Sequence, residues 1–341
     1  MGEAGVWRTR LLTAAKYGLA IAALAWVIYT ADIERTIAAV SRLSAATLAV
    51  VVAVSVVSVL ARVATWHVLV AYFIDVDLKG LVTADLIIKF VNSLFPSRFS
   101  GRSIAPLALR HFTGLAWTEA IAVTVAHTGL FAVLYGLVTL CGILVDIGAY
   151  GSGLTAVILL SAGVYLGVGG AVVLAGWRLD VFDRLVVRLA GIISRFPAGH
   201  NIAQPLHSFR TKLLDGSDAR FQQLVRDPST VGLFISVWIV AILLIPAVRI
   251  WILLVATGIT ELNPLFLPLY VVVAYSVTVL PLTPGGIGVT EATAVAVFVA
   301  LGVPEGAIVT VVFLDRIFGV YLPSLLGWFP LIRTNFRAIV E

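Results

Sequence analysis

The chain has 341 residues, of which 60% are hydrophobic and only 12% charged, with a mean hydropathy of +1.07. That balance excludes an ordinary soluble domain, and the long non-alternating apolar runs exclude barrel strands, so an all-α integral membrane protein is expected, in one polytopic domain over 1–341. The net charge of +5 requires no nucleic-acid partner, because cytoplasmic loops of membrane proteins collect Lys and Arg.

In chain order, Arg8, Arg10 and Lys16 precede an apolar run over 17–29, within which Ala23-Leu24-Ala25 looks like a signal-cleavage site. The run continues past that site, so an uncleaved first span is expected. Runs of the roughly 20 residues needed to cross a bilayer fall at 11–30, 45–74, 117–141, 153–176, 229–257 and 306–330. Two further apolar regions, 81–113 and 263–303, are broken at their centres. The first breaks at Pro96-Ser97-Arg98-Phe99-Ser100-Gly101-Arg102, the second at Pro281-Leu282-Thr283-Pro284-Gly285-Gly286-Ile287-Gly288. Each half is too short to cross alone, which suits a re-entrant helical hairpin; a kinked full span is the alternative. The single cysteine, Cys141, lies in an apolar run and excludes an internal disulfide.

The connection 177–228 carries Phe182, Leu185, Val186, Leu189, Ile193 and Phe196 at helical spacing, with Arg184, Arg188 and Arg195 on other faces. It reads as an amphipathic helix on the anionic leaflet, ended by Pro197 and Gly199, with a second helical stretch over 206–226; a solvated connector is the alternative. At about 50 residues it is too small to hold a catalytic core. Its arginines fall on the same side as Arg8, Arg10, Arg333 and Arg337, opposite Asp146, Glu261 and Glu305. The positive-inside rule then gives a multi-pass cell-membrane protein with six crossings and both termini cytoplasmic.

Trp66-His67-Val68-Leu69-Val70-Ala71 lines up with Trp251-Ile252-Leu253-Leu254-Val255-Ala256. At the same offset, Phe95-Pro96 meets Leu280-Pro281 and Gly101 meets Gly286. Approximate repeats over 45–176 and 229–330 are expected, inverted relative to each other by the span count. The broken tips would then meet near the midplane, as in inverted-repeat transporters, with Pro96, Gly101, Pro281 and Pro284 shaping them.

Polar groups inside apolar segments cost free energy, so those at mid-segment carry functional expectations. Arg98 and Arg102, with Lys89 before and Arg110 after, point to an anionic ligand, since guanidinium groups bind phosphate oxygens bidentately. If the tip reaches the interface, the same arginines merely snorkel. In the second tip Thr283, Gly285, Gly286 and Gly288 permit close backbone approach, and the helix beginning near Thr290 offers amides to an anion. Glu291 is placed to cap that end or to balance a cation; a purely structural turn is the alternative. Arg62 and Trp66, four apart, share a helix face within reach of a cation–π contact. Arg249 and Trp251, two apart, cannot, so the repeat is imperfect there. Asp315 suits a structural ion pair, and Arg316 a central cavity. His67, His111, His127, His200 and His207 show no metal-ligand spacing, and the glycine cluster lacks the ending of a nucleotide loop, so neither metal nor cofactor is expected.

The run from Pro281 to Glu291 resembles the signature of the flippase-like family that includes the membrane region of lysylphosphatidylglycerol synthase. Arg62-Val63-Ala64-Thr65-Trp66, the Phe95-Pro96-Ser97-Arg98 tip and Arg316 are similar as well, and the resemblance covers about 11–332. It implies a helical protein that moves or binds an anionic phospholipid or a polyprenyl-linked sugar. The first tip departs from the family pattern: one extra residue precedes Gly101, and Arg102 stands where an acid is expected. Without an aminoacyl-transferase domain, the chain would act on lipid made elsewhere or beside a partner enzyme. The expected function is ATP-independent lipid translocation. The alternatives are a non-transporting membrane partner of a lipid- or glycan-modifying enzyme, or an enzyme on lipid-linked phosphates. The last needs a general base or metal-held water, for which the sequence shows no clustered Asp/His set.

Overall fold

The computed structural model describes residues 41, 43–94, 100–146, 148–177, 216–280, 282–283 and 286–333. Every regular element among them is helical. Five helices are long and apolar enough to cross a bilayer: α1 (Ala45–Val70), α4 (Trp117–Val145), α5 (Ser152–Trp177), α7 (Pro228–Ala256) and α10 (Glu305–Ile332). Each matches an expected span to within a few residues. The expected first span and the amphipathic helix of 182–196 lie outside the described residues.

Shorter helices complete the chain: α2 (Leu78–Leu94), α3 (Ala105–Thr113), α6 (Ser217–Val225), α8 (Leu267–Val279) and α9 (Val289–Ala300). Helix α6 is the described part of the second helical stretch expected over 206–226. The N-terminus of α7 is held by Asp227, whose carboxylate accepts the backbone N–H groups of Ser229 and Thr230. Hydrogen bonds from the Thr230 and Ser229 hydroxyls keep that carboxyl below the usual carboxylate range.

The two broken regions fold as hairpins rather than kinked spans. In the first, α2 and α3 run side by side: a Cβ on Gly80, in the first turn of α2, would stand 2.1 Å from the carbonyl oxygen of Phe112, near the end of α3. Only a glycine permits that approach. In the second, α8 and α9 pack along each other. A kinked span would bring its halves together only at the break.

The hairpins open at opposite ends of α4. Arg110, late in α3, lies over the ring of Trp117, the first residue of α4, at 4.6 Å. Tyr270, early in α8, donates its hydroxyl proton to Asp146, the C-cap of α4. Their closed ends therefore point toward each other along the long axis of α4.

Packing relies on small residues where helices meet closely. A Cβ at Gly136 would lie 2.8 Å from Leu166, and one at Gly169 would lie 2.8 Å from the Val133 nitrogen, which sets the α4–α5 crossing. Gly327 of α10 brings its backbone against the Leu86 carbonyl of α2 in the same way. Val52, Val56, Val57 and Leu60 of α1 remain exposed, an apolar stripe suited to lipid contact. Two buried apolar clusters result, one centred on α1–α4 and the other on α7–α10.

Candidate functional site

A cavity of about 230 Å³ lies between the two clusters, walled by α1, α2, α4, α7, α8 and α10 and by the 3₁₀ turn Ser100–Ile104. It sits at mid-height. Phe131, in its wall, is the fifteenth of the 29 residues of α4, and Arg316 the twelfth of the 28 in α10.

Both breaks reach this level. Arg102, the last residue of the first, places its guanidinium carbon 4.3 Å from the Phe131 ring centroid. Arg102 in the turn Ser100–Ile104 therefore reaches the middle of α4, not a helix end where an arginine would snorkel. Thr278, just before the second break, lines the cavity and meets the hydroxyl of Tyr165 at 3.4 Å, midway along α5.

Among the described residues, five cationic side chains line the cavity: Arg62, Lys89, Arg102, Arg249 and Arg316. Two carboxylates line it with them, Asp85 and Asp315. Arg62 grips Asp85 in a fork, Nε at 3.1 and 3.0 Å from the two oxygens and Nη2 at 2.6 Å from Oδ2. Arg249 donates Nε to Asp315 at 2.6 Å, and Tyr275 donates its hydroxyl to the other oxygen at 2.7 Å. Arg316 donates Nε at 2.6 Å to Glu291, which lies behind the wall and also accepts the Tyr321 hydroxyl at 2.7 Å. Lys89 donates to the Gly319 carbonyl at 2.6 Å. Buried atoms on the walls without a hydrogen-bond partner among the described residues include Nη1 of Arg249, Nη2 of Arg316, Nδ1 of His127 and Oγ of Ser324.

Two stretches of the walls are π-helical, Ile239–Leu244 in α7 and Ile317–Tyr321 in α10. Such wide turns gather at functional sites because they re-aim side chains and backbone carbonyls. Here the second one presents Gly319, whose carbonyl receives Lys89 and whose missing side chain leaves room for the Arg249 guanidinium.

Of the residues singled out in the sequence, Arg62, Trp66, Arg102 and Arg316 line the cavity together. The cation–π pair expected of Arg62 and Trp66 is replaced by other partners. Arg62 turns to Asp85, and Trp66 stacks face to face on His127, ring centroids 3.6 Å apart and planes 5° from parallel. A bidentate carboxylate is a stronger partner for a guanidinium than an indole face, and it frees the indole for the imidazole.

The second tip also differs from expectation. Glu291 accepts the Gly288 N–H at 2.7 Å, so the amide end proposed for an anion already carries this carboxylate. Thr283, Gly286 and Gly288 stand outside the cavity lining. Gly286 (φ +71°) and Gly288 (φ +84°) adopt left-handed backbone that suits glycine, so their role here is to shape the turn. Thr283 bonds the Ile287 carbonyl across the same turn at 2.8 Å. Gly101 falls in the 3₁₀ turn Ser100–Ile104. Pro96, Arg98, Pro281, Pro284 and Gly285 lie outside the described residues.

Asp85, Arg249, Tyr275 and His127 were not among the sequence-based site residues. Asp85 and Arg249 carried the usable signal, a charge inside an apolar segment. His127 carried none beyond its central place in a span.

The chain matches the lysylphosphatidylglycerol synthase TM region over residues 13–327. It belongs to that family. A 52-residue stretch is also 42% identical to the UPF0104 membrane protein PH1989 of Pyrococcus horikoshii, spanning 15% of this chain and 16% of that protein. As a lysylphosphatidylglycerol synthase TM-region protein, the chain is a multi-pass membrane protein, and its residues Gly286, Ile287 and Gly288 lead directly into α9.

Proposed function

We propose that this protein moves an anionic lipid, a phospholipid or a polyprenyl-phosphate-linked sugar, across the bilayer without ATP and without chemically altering it. One observation carries the reading: a mid-height cavity whose described walls bear five cationic side chains against two carboxylates, with guanidinium N–H groups on Arg249 and Arg316 unpartnered among the described residues. Buried donors in excess of acceptors favour an anion, and a phosphate offers several acceptor oxygens. The headgroup occupies the cavity while acyl or prenyl tails stay in lipid.

Helix α10 is gripped by both hairpins, through Lys89 to Gly319 from the first and Glu291 to Arg316 from the second. An anion that competes for Lys89 or Arg316 loosens one grip or the other, and the hairpins, opening at opposite ends, then give access from opposite sides in turn. In this reading the termini and the basic connection 177–228 face the cytoplasm. A lipid- or glycan-modifying enzyme supplies or consumes the lipid.

The test is translocation of fluorescent phosphatidylglycerol in proteoliposomes of the purified chain, followed by chemical quenching of the outer leaflet and by lipid analysis. Wild type is expected to move unaltered lipid without nucleotide, and Arg102→Ala to slow it severalfold. Altered lipid would make the protein an enzyme. No movement and no alteration would leave it a binding partner.

A further inference from the structure

Building on the lipid reading above, we propose that Lys89 takes up a proton as an anionic headgroup enters the cavity and releases it as the headgroup leaves. Translocation is then coupled to protons and electrically neutral. The cations of the cavity are unevenly matched. Arg62, Arg249 and Arg316 each hold a carboxylate, on Asp85, Asp315 and Glu291 respectively. Lys89 holds none: among the described residues its ammonium group donates to the Gly319 carbonyl at 2.6 Å and forms no ion pair. Asp85, one helical turn before it on α2, is taken by the fork of Arg62.

Charged and titratable groups face Lys89 from every wall. Arg62 on α1, Arg249 on α7 and Arg316 on α10 act on its charge, as does Asp85. Arg102 in the turn Ser100–Ile104, Tyr275 on α8 and Asp315 on α10 line the same cavity. So does His127 on α4, whose ring is stacked on Trp66 and whose Nε2 is bonded to the Thr65 hydroxyl at 2.9 Å. Cations outnumber carboxylates among these described residues, even with Glu291 counted. The empty cavity therefore gathers an excess of positive charge at mid-height, where screening by water is weak.

Arginine keeps its proton under all ordinary conditions, whereas lysine exchanges it. Lys89 is the cation through which the empty cavity relieves its excess. One N–H bond of the ammonium breaks, the electron pair stays on Nζ, and the proton passes to water on the side to which the cavity is open. The amine left behind keeps two N–H groups, so the contact with Gly319 survives in a weaker, neutral form. A phosphate monoanion brings in the missing negative charge, and the same step runs in reverse. Lipid and proton then cross together with no net charge.

Two readouts test this. Purified full-length protein is reconstituted with fluorescent phosphatidylglycerol, a pH gradient is imposed, and the membrane potential is clamped with valinomycin and potassium. Wild type is expected to enrich the label in the leaflet on the alkaline side, approaching about tenfold per pH unit at full coupling, over protein-free liposomes as the control. Translocation that ends in an even distribution overturns the proposal and leaves the transport reading intact. The second readout needs no transport: phosphatidylglycerol is titrated into the protein in detergent, by calorimetry in buffers of different ionisation enthalpy. Uptake of about one proton per lipid is expected for wild type, and none for Lys89→Arg, which keeps the charge but holds its proton. Lys89→Gln, neutral throughout, carries the same expectation if the arginine variant fails to fold. Equal uptake in wild type and a folded variant would trace the proton to another group, such as His127, and overturn the assignment. Lipid binding without proton uptake in wild type would overturn it as well.

Discussion

The guanidinium of Arg316, midway along the last membrane-length helix, lies 2.6 Å from the carboxylate of Glu291 in the first turn of the helix after the second break. Glu291 thus holds two structures at once, the turn through the Gly288 N–H and α10 through Arg316. Removing one partner of such a pair leaves the other charge buried. Glu291→Gln is expected to destabilise the protein by about 3 kcal/mol, and the double variant with Arg316→Gln to recover part of the loss. Thermal unfolding of both in the same detergent checks this. Additive losses would mean the two groups are not coupled.

The fork between Arg62 and Asp85 depends on shape as well as charge. Arg62→Lys keeps the charge but cannot donate two parallel N–H groups to one carboxylate. A loss of about 1–2 kcal/mol is expected, smaller than for Arg62→Ala. An Arg62→Lys protein as stable as wild type would show that charge alone suffices.

Gly319 leaves no room for a side chain. A Cβ there would stand 2.3 Å from Nη2 of Arg249, whose Nε is fixed on Asp315. Gly319→Ala is therefore expected to cost about 1–3 kcal/mol and to weaken anion binding by moving Arg249. In a double-mutant cycle, Arg249→Lys should absorb much of that cost, because its shorter head vacates the space. Strict additivity would refute the contact.

Trp66 is 3% exposed and stacks on His127, which in turn meets Phe234 edge-on at 5.5 Å. Trp66→Ala is expected to lose about 3–5 kcal/mol through the cavity it leaves. Trp66→Phe keeps a ring on the imidazole and should retain most of the stability. Equal losses in the two variants, read by thermal unfolding, would show that a smaller ring on the imidazole recovers nothing and would refute the stacking account.

The positions of the breaks were legible because proline and glycine interrupt a helix wherever they occur together in an apolar run. The glycines of the second break also show their reason locally, in the left-handed backbone at Gly286 and Gly288. The site was legible only in part. Arg102 and Arg316 were visible as charges out of place in apolar sequence, and so were Asp85 and Arg249, which the motif-centred reading passed over. The Arg62–Trp66 contact failed as an expectation because helical spacing brings side chains near each other without ranking their partners.

The sequence by itself determined that this is a helical membrane protein with broken segments at 96–102 and 281–288 and an excess of positive charge within apolar segments. Hydropathy and backbone chemistry act over a window of neighbouring residues, so a linear reading captures them. Only the tertiary structure decided who pairs with whom. Arg62 meets Asp85 across 23 positions, Arg316 meets Glu291 across 25, and Arg249 meets Asp315 across 66. In a medium with little water, each buried charge is satisfied by whichever opposite charge the helix packing delivers, and that delivery is a property of the fold.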